Sequence, residues 1–311
     1  MNKTGDKRNV WSPVMTPFMS DLSTDDQRFV EHCQWLLDNH VGLAIFGTNS
    51  EANSLPLAEK QRLIKLLVAS GIQGTDLMPG TGSCNLEDTV SLTRTAVEAG
   101  CSGVLMLPPF YYKGVSDEGL FNYFSQIAER VNDSRLRIYL YHIPPVAQVP
   151  LSIELIERLR QRYPGVFVGI KDSGGDRAFT QSLIERFSSE GFEVYAGSER
   201  FLLDTLRAGG AGCISATANV NPKAISELGA TWQNSDADDQ QQALNRIRSA
   251  FEGFPMIPAM KAAKAQATGH DGWCLVRPPL VNLNDAARND LQKALAEEGF
   301  AMGTTGRSVS E

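Results

Sequence analysis

Lys171 closes the apolar run 166–170 (Val-Phe-Val-Gly-Ile), which puts an amine at the end of what reads as a buried strand. Removal from water disfavours a charged ammonium, and the neutral amine is the form that attacks a carbonyl carbon. Side chains alternate along a strand, so a Lys171 that faces inward leaves Asp172 facing away, poorly placed to keep the amine charged. Tyr141 ends another apolar run thirty residues upstream. With one helix between the two runs, Tyr141 ends the neighbouring strand, about 5 Å from Lys171. The turn 47–51 (Gly-Thr-Asn-Ser-Glu) is a third element. A glycine followed by Thr and Asn where a strand gives way to a helix offers backbone N–H groups and short polar side chains, which suit a carboxylate. Each feature alone has an ordinary explanation: a strand-end lysine paired with an acid, a core aromatic, a capping turn. An amine and a phenol converging from neighbouring strand ends are harder to explain as packing.

The rest of the chain must supply those strand ends. Short apolar or β-branched runs at 11–18, 42–47, 77–80, 103–107, 138–141, 166–171, 193–197 and 212–215 read as strands. Amphipathic stretches at 25–39, 57–70, 86–99, 117–131 and 153–162 read as helices. Helix starts are marked by Thr24 before two acids, by Ser116 before Asp117-Glu118, and by Ser152 with Glu154 following. Eight strand–helix steps about 30 residues apart predict an α/β fold, a (β/α)8 TIM barrel over residues 1–232, with its site at the C-terminal ends of the strands. Between 233 and 300 the pattern is helical without strands. It reads as a C-terminal helical extension, broken at Pro255 and Pro258, with a loop at 269–279. The small polar tail 301–311 reads as disordered.

Composition narrows the function classes. The chain has 311 residues, 42% of them apolar, with 29 basic and 36 acidic side chains and a net charge of −7. No concentrated basic surface is available for a nucleic acid. No apolar run nears the roughly 18 to 20 residues that span a bilayer. The polar first ten residues lack the core of an export signal. Five scattered cysteines without a CxxC pair read as reduced thiols of a cytoplasmic protein. The four histidines show no HxH or HExxH spacing, so no metal site is expected. Gly80-Thr81-Gly82 is only half of a dinucleotide fingerprint, and the first strand lacks a glycine-rich turn.

The chain resembles the dihydrodipicolinate synthase / N-acetylneuraminate lyase family of Schiff-base aldolases. The likeness rests on Thr16-Pro17-Phe18, the turn 47–51, residues 108–112 with Glu118-Gly119, Tyr141-x-x-Pro144, the segment 169–176 and the segment 212–220. It implies a (β/α)8 barrel with added helices, assembled as a homotetramer of two tight dimers. It implies that Lys171 forms an imine with the C2 carbonyl of pyruvate or a longer 2-oxo acid, and that Tyr141 shuttles protons. Thr48 would link Tyr141 to Tyr111 of a neighbouring subunit. Backbone groups of Thr48 and Asn49 would hold the substrate carboxylate, with Gly197 and Ile214 lining the pocket behind the imine. Three departures bear on substrate. The synthase pattern has an arginine where this chain has Val146, and a valine cannot grip a carboxylate. The sialic acid lyase pattern has an acidic pair where this chain reads Glu199-Arg200, and a serine where it has Ala216. Asn49 and the glycine-rich turn 171–176 look more like the 4-hydroxy-2-oxoglutarate aldolases.

The expected reaction is cleavage or formation of the C3–C4 bond of a 2-oxo acid through the lysine imine. The imine itself serves as electron sink, so no metal or organic cofactor is expected. True 4-hydroxy-tetrahydrodipicolinate synthesis, or a barrel that binds 2-oxo acids without turnover, are the alternatives.

Overall fold

The computed structural model describes residues 8–303, so of the expected tail residues 304–311 lie outside the described residues. Seven parallel strands form one sheet: β1 (Val10–Ser12), β2 (Gly42–Leu43), β3 (Val104–Met106), β4 (Ile138–His142), β5 (Phe167–Asp172), β6 (Glu193–Ala196) and β7 (Gly212–Ile214). Their order is β2-β1-β7-β6-β5-β4-β3. Segment 77–80, expected as a strand, instead makes isolated bridges to both ends of that order. Met78 and Gly80 donate to Leu43 and Ile45, while Leu105 donates to Pro79 and Thr81 donates to Leu105. Pro79 has no N–H to add, which limits the ladder at that point.

Residue parity along these strands separates two cores. Leu43, Leu77, Val104, Met106, Leu140, Ile170, Val194 and Cys213 belong to the large core under the helices. Trp11, Ala44, Met78, Leu105, Tyr139, Tyr141, Tyr195 and Ile214 pack together within the curl of the sheet. Parallel strands covered on both faces must be apolar almost throughout, which is why Lys171 and Tyr141 stand out among them.

The helices are α1 (Asp26–Asp38), α2 (Leu57–Ala69), α3 (Leu86–Glu98), α4 (Asp117–Val131), α5 (Pro144–Ala147), α6 (Ile153–Arg162), α7 (Arg177–Phe187), α8 (Leu202–Arg207), α9 (Pro222–Thr231), α10 (Ala237–Glu252), α11 (Met256–Thr268) and α12 (Asp285–Glu297). Ser116 and Ser152 cap α4 and α6 as expected, each side chain accepting an N–H from the first turn. At α1 the cap is Asp25 rather than Thr24, because the Asp25 carboxylate reaches the N–H of Arg28. Pro255 does mark a break between α10 and α11, but Pro258 lies inside α11. In the first turn of a helix the missing proline N–H has no acceptor to lose. The expected loop 269–279 contains a 3-10 turn, Asp271–Cys274.

Residues of α10, α11 and α12 share a second core with Met15, Ala216 and Val220 of the sheet-bearing part. The extension therefore packs directly on the segments that follow β1 and β7.

Candidate active site

β4 and β5 pair in register, with Tyr141 opposite Lys171 and His142 opposite Asp172. Lys171 is 2% exposed and Tyr141 5% exposed, so both are withdrawn from bulk water. The Lys171 Nζ sits 4.3 Å from the centre of the Tyr141 ring. The Tyr141 hydroxyl is 3.2 Å from the Thr48 Oγ1. Asp172 points the other way, as strand alternation requires. Its carboxylate accepts from the Thr180 hydroxyl at 2.5 Å and the Gly174 N–H at 2.9 Å, and lies 3.0 Å from the His142 Nδ1. No carboxylate pairs with Lys171 among the described residues, so the amine faces an aromatic ring instead of an anion.

The turn after β2 is built around a 3-10 helix, Thr48–Ser50. Phe46 before it and Glu51 after it both have left-handed backbones, at φ 62° and 58°. Such conformations cost on the order of 1 kcal/mol for a residue with a side chain and persist only where the surroundings enforce them. The N–H groups of Ser50 and Glu51 donate to Gly47 and Thr48, and the Ser50 hydroxyl accepts from the Gly47 N–H. Among the described residues nothing accepts from the N–H groups of Thr48 and Asn49. Two unpaired donors at adjacent positions, beside the hydroxyl that meets Tyr141, suit a carboxylate.

The other expected site residues are placed as follows. Ile214 ends β7 and is fully buried in the core within the curl of the sheet. Gly197 follows β6, and its N–H donates to Asp172 at 2.7 Å. A Cβ at Gly197 would lie 2.0 Å from the Ser173 hydroxyl, so only glycine fits this close approach beside Lys171. Tyr111 is 74% exposed, stacked edge-on against Tyr112, and no hydrogen bond within the chain joins it to Thr48 or Tyr141. Among the described residues no group of three His, Cys, Asp or Glu side chains could hold a metal ion.

The profile of the Dihydrodipicolinate synthetase family matches residues 6–298. The chain belongs to that family. Its members are class I, Schiff-base lyases and aldolases. A DapA-like lyase of Chloroflexus aurantiacus is 31% identical over 301 residues, which is 96% of this chain and 98% of the relative. Dihydrodipicolinate synthase from Agrobacterium tumefaciens superposes with a TM-score of 0.86 at 30% identity, over 94% of this chain and 99% of that one. YagE, a prophage protein of E. coli K12 solved in complex with pyruvate, superposes with a TM-score of 0.85 at 26% identity, covering 96% of this chain and 100% of that one.

Three features of this family member were not anticipated from its sequence. Glu199 is buried and accepts from the hydroxyls of Ser215 and Thr217, and its Oε2 takes the Arg248 Nη1 at 2.8 Å. It is thereby committed to tying the ends of β6 and β7 to α10. Arg200 likewise turns to α10, pairing with Glu252 at 2.5 Å. Beneath Tyr141, the Tyr139 and Tyr195 hydroxyls both donate to Glu193, at 2.9 and 3.1 Å. Burial and the Glu193 charge push both phenols above their ordinary value. Tyr141 lacks such a carboxylate and faces Thr48 instead. Lastly, Glu51 is buried against Lys261 of α11. For the Glu199 network the sequence signal is the run Glu199-Arg200 just past the end of β6. The partners that tie these networks to the extension are distant in sequence: Arg248 lies 49 positions from Glu199 and Lys261 lies 210 from Glu51.

Proposed function

We propose that this chain is a Schiff-base-forming lyase or aldolase acting on pyruvate or a pyruvate-derived 2-oxo acid, within a closed (β/α)8 barrel. In this reading segment 77–80 is the eighth stave, since it hydrogen-bonds to both end strands of the sheet. The barrel comprises residues up to 232, and 233–300 form the helical extension. The observation that carries the chemical reading is the convergence of three side chains: the buried Lys171 amine lies over the ring of the buried Tyr141, and the Tyr141 hydroxyl meets the hydroxyl of the half-buried Thr48.

The Lys171 Nζ attacks C2 of the keto acid, and loss of water leaves a protonated imine. That imine accepts the electron pair of the C3–C4 bond as it breaks, or releases it as the bond forms. The Tyr141 hydroxyl removes the proton from the C4 oxygen during cleavage and returns it during condensation. A phenol acts well in this role when further hydroxyls pass the proton on. Thr48 is one such relay at 3.2 Å, and the exposed Tyr111 of a neighbouring copy would be the next. The N–H groups of Thr48 and Asn49 hold the substrate carboxylate, while Gly197 and Ile214 wall the pocket behind the imine. No cofactor enters this sequence of steps.

Substrate class follows from pyruvate and from what the site lacks. The pyruvate complex of the E. coli relative supports a 2-oxo acid. Val146 is 63% exposed on the short helix α5 and offers no charge to a second carboxylate. The partner aldehyde is therefore one that does not need a guanidinium at that position, which disfavours 4-hydroxy-tetrahydrodipicolinate synthesis. The exposed Tyr111 and Tyr112 support assembly into a homotetramer in which each site is completed by its neighbour. Five free cysteines, and no described helix long and apolar enough to cross a membrane, fit the cytoplasm. A turnover assay with a panel of 4-hydroxy-2-oxo acids tests the proposal. Wild type cleaves at least one to pyruvate and Lys171→Ala cleaves none; a Lys171→Ala protein with the wild-type rate refutes it.

A further inference from the structure

The turn that offers Thr48 and Asn49 ends in a glutamate, and a carboxylate two residues from an anion site repels the anion unless it is neutralised. Glu51 is 4% exposed, so water does not neutralise it. Its Oε1 is met by the Lys261 ammonium of α11, fully buried and also donating to the Leu275 carbonyl at 2.7 Å. Its Oε2 accepts the N–H of Arg277 at 2.8 Å. The Lys261 ammonium lies 4.3 Å over the Phe18 ring, and the Arg277 guanidinium covers the same ring at 4.6 Å. Arg277 is itself balanced by two contacts to Glu59, at 2.7 and 2.9 Å, and it reaches the Ser54 carbonyl. Each buried charge has its counter-charge, and the whole set joins the extension to the turn 47–51, to the first turn of α2 and to Phe18. Thr16 completes the hold by donating to the Ser50 carbonyl at 2.8 Å.

We infer that Glu51 is a positioning residue: clamped between Lys261 and the Arg277 N–H, it holds the left-handed end of the turn 47–51 so that the unpaired N–H groups of Thr48 and Asn49 converge on the carboxylate of a 2-oxo acid. This rests on the reading of the site given above. It also assigns α11 a task in substrate binding although none of its residues reaches Lys171. A left-handed glutamate gains nothing from its own backbone there. The conformation exists because the carboxylate must reach two donors on a distant segment.

The test compares how much pyruvate is needed for half-maximal trapping of the Lys171 adduct by borohydride, alongside turnover and thermal unfolding. Glu51→Leu combined with Lys261→Met removes both charges at similar volume, a replacement that buried ion pairs often tolerate without loss of stability. We expect this double variant to unfold near the wild-type temperature, to need about tenfold more pyruvate, and to keep kcat within about threefold, as loss of ground-state positioning requires. Glu51→Asp retains the charge pair on a shorter arm and should raise the pyruvate requirement by about threefold; it decides the matter if the double variant does not fold. A pyruvate requirement unchanged in the folded variants overturns the role of Glu51 while leaving the imine chemistry intact. A wild type that traps no pyruvate on Lys171 overturns both.

Discussion

Helix α11 carries two buried lysines three positions apart, and only one has a counter-charge. Lys261 meets Glu51, whereas Lys264, 4% exposed, has no carboxylate partner among the described residues. Its ammonium lies 3.8 Å from the centre of the Trp35 ring and 5.8 Å from that of Trp273. Burial lowers Lys264 from 10.5 to about 8. At about 1.4 kcal/mol per pH unit, that difference costs the folded state roughly 3 kcal/mol at neutral pH. The face of Trp35 offsets about 1 to 2 kcal/mol of this. Lys264→Met keeps the length and apolar stem and removes the charge, so at pH 7 it should stabilise the protein by about 1 to 2 kcal/mol. The gain depends on pH in a fixed direction. The unfolded chain holds the Lys264 proton up to about 10.5 and the folded chain only up to about 8, so between these values unfolding takes up a proton and wild-type stability rises with pH. The advantage of Lys264→Met should accordingly fall to less than half by a pH of about 9.5. Urea unfolding of both proteins at the two pH values reads this directly. A variant less stable than wild type at pH 7, or a gain that does not shrink at high pH, refutes the reasoning.

Two predictions address the catalytic reading. Tyr141→Phe removes the hydroxyl that meets Thr48 but leaves the ring over Lys171; turnover should fall by about 100-fold or more while borohydride still traps pyruvate, and near-normal turnover counts against a proton role. Tyr111→Phe should slow turnover by at least about tenfold without changing thermal unfolding of the exposed side chain's own subunit, and an unaffected rate removes Tyr111 from the relay.

What the sequence disclosed, and what it did not, follows from the range of the interactions. Strand alternation and the thirty-residue step from Tyr141 to Lys171 are local facts repeated along a regular fold, and the observed register places the two side by side. The paired bridges of segment 77–80 were legible as an eighth run, although Pro79 thins its hydrogen bonding. The clamp on Glu51 was not legible, because its partners lie 210 and 226 positions away and no local pattern links them. A signal for it was nevertheless present in α11 itself. The stretch Met256–Thr268 is small or apolar on all sides, so its two lysines cannot all face water, and eight of its residues are buried. The exposure of Tyr111 was not legible either, because which side chains of the segment after β3 stay in water depends on the folded surface and on no local pattern.

The account stands on Lys171 as the nucleophile. Reduction of the wild-type protein with borohydride in the presence of pyruvate, followed by peptide mass spectrometry, should find the reduced pyruvyl group on the peptide containing Lys171 and on no other lysine. An unmodified Lys171, or an adduct on Lys261 or Lys264 in its place, would contradict it.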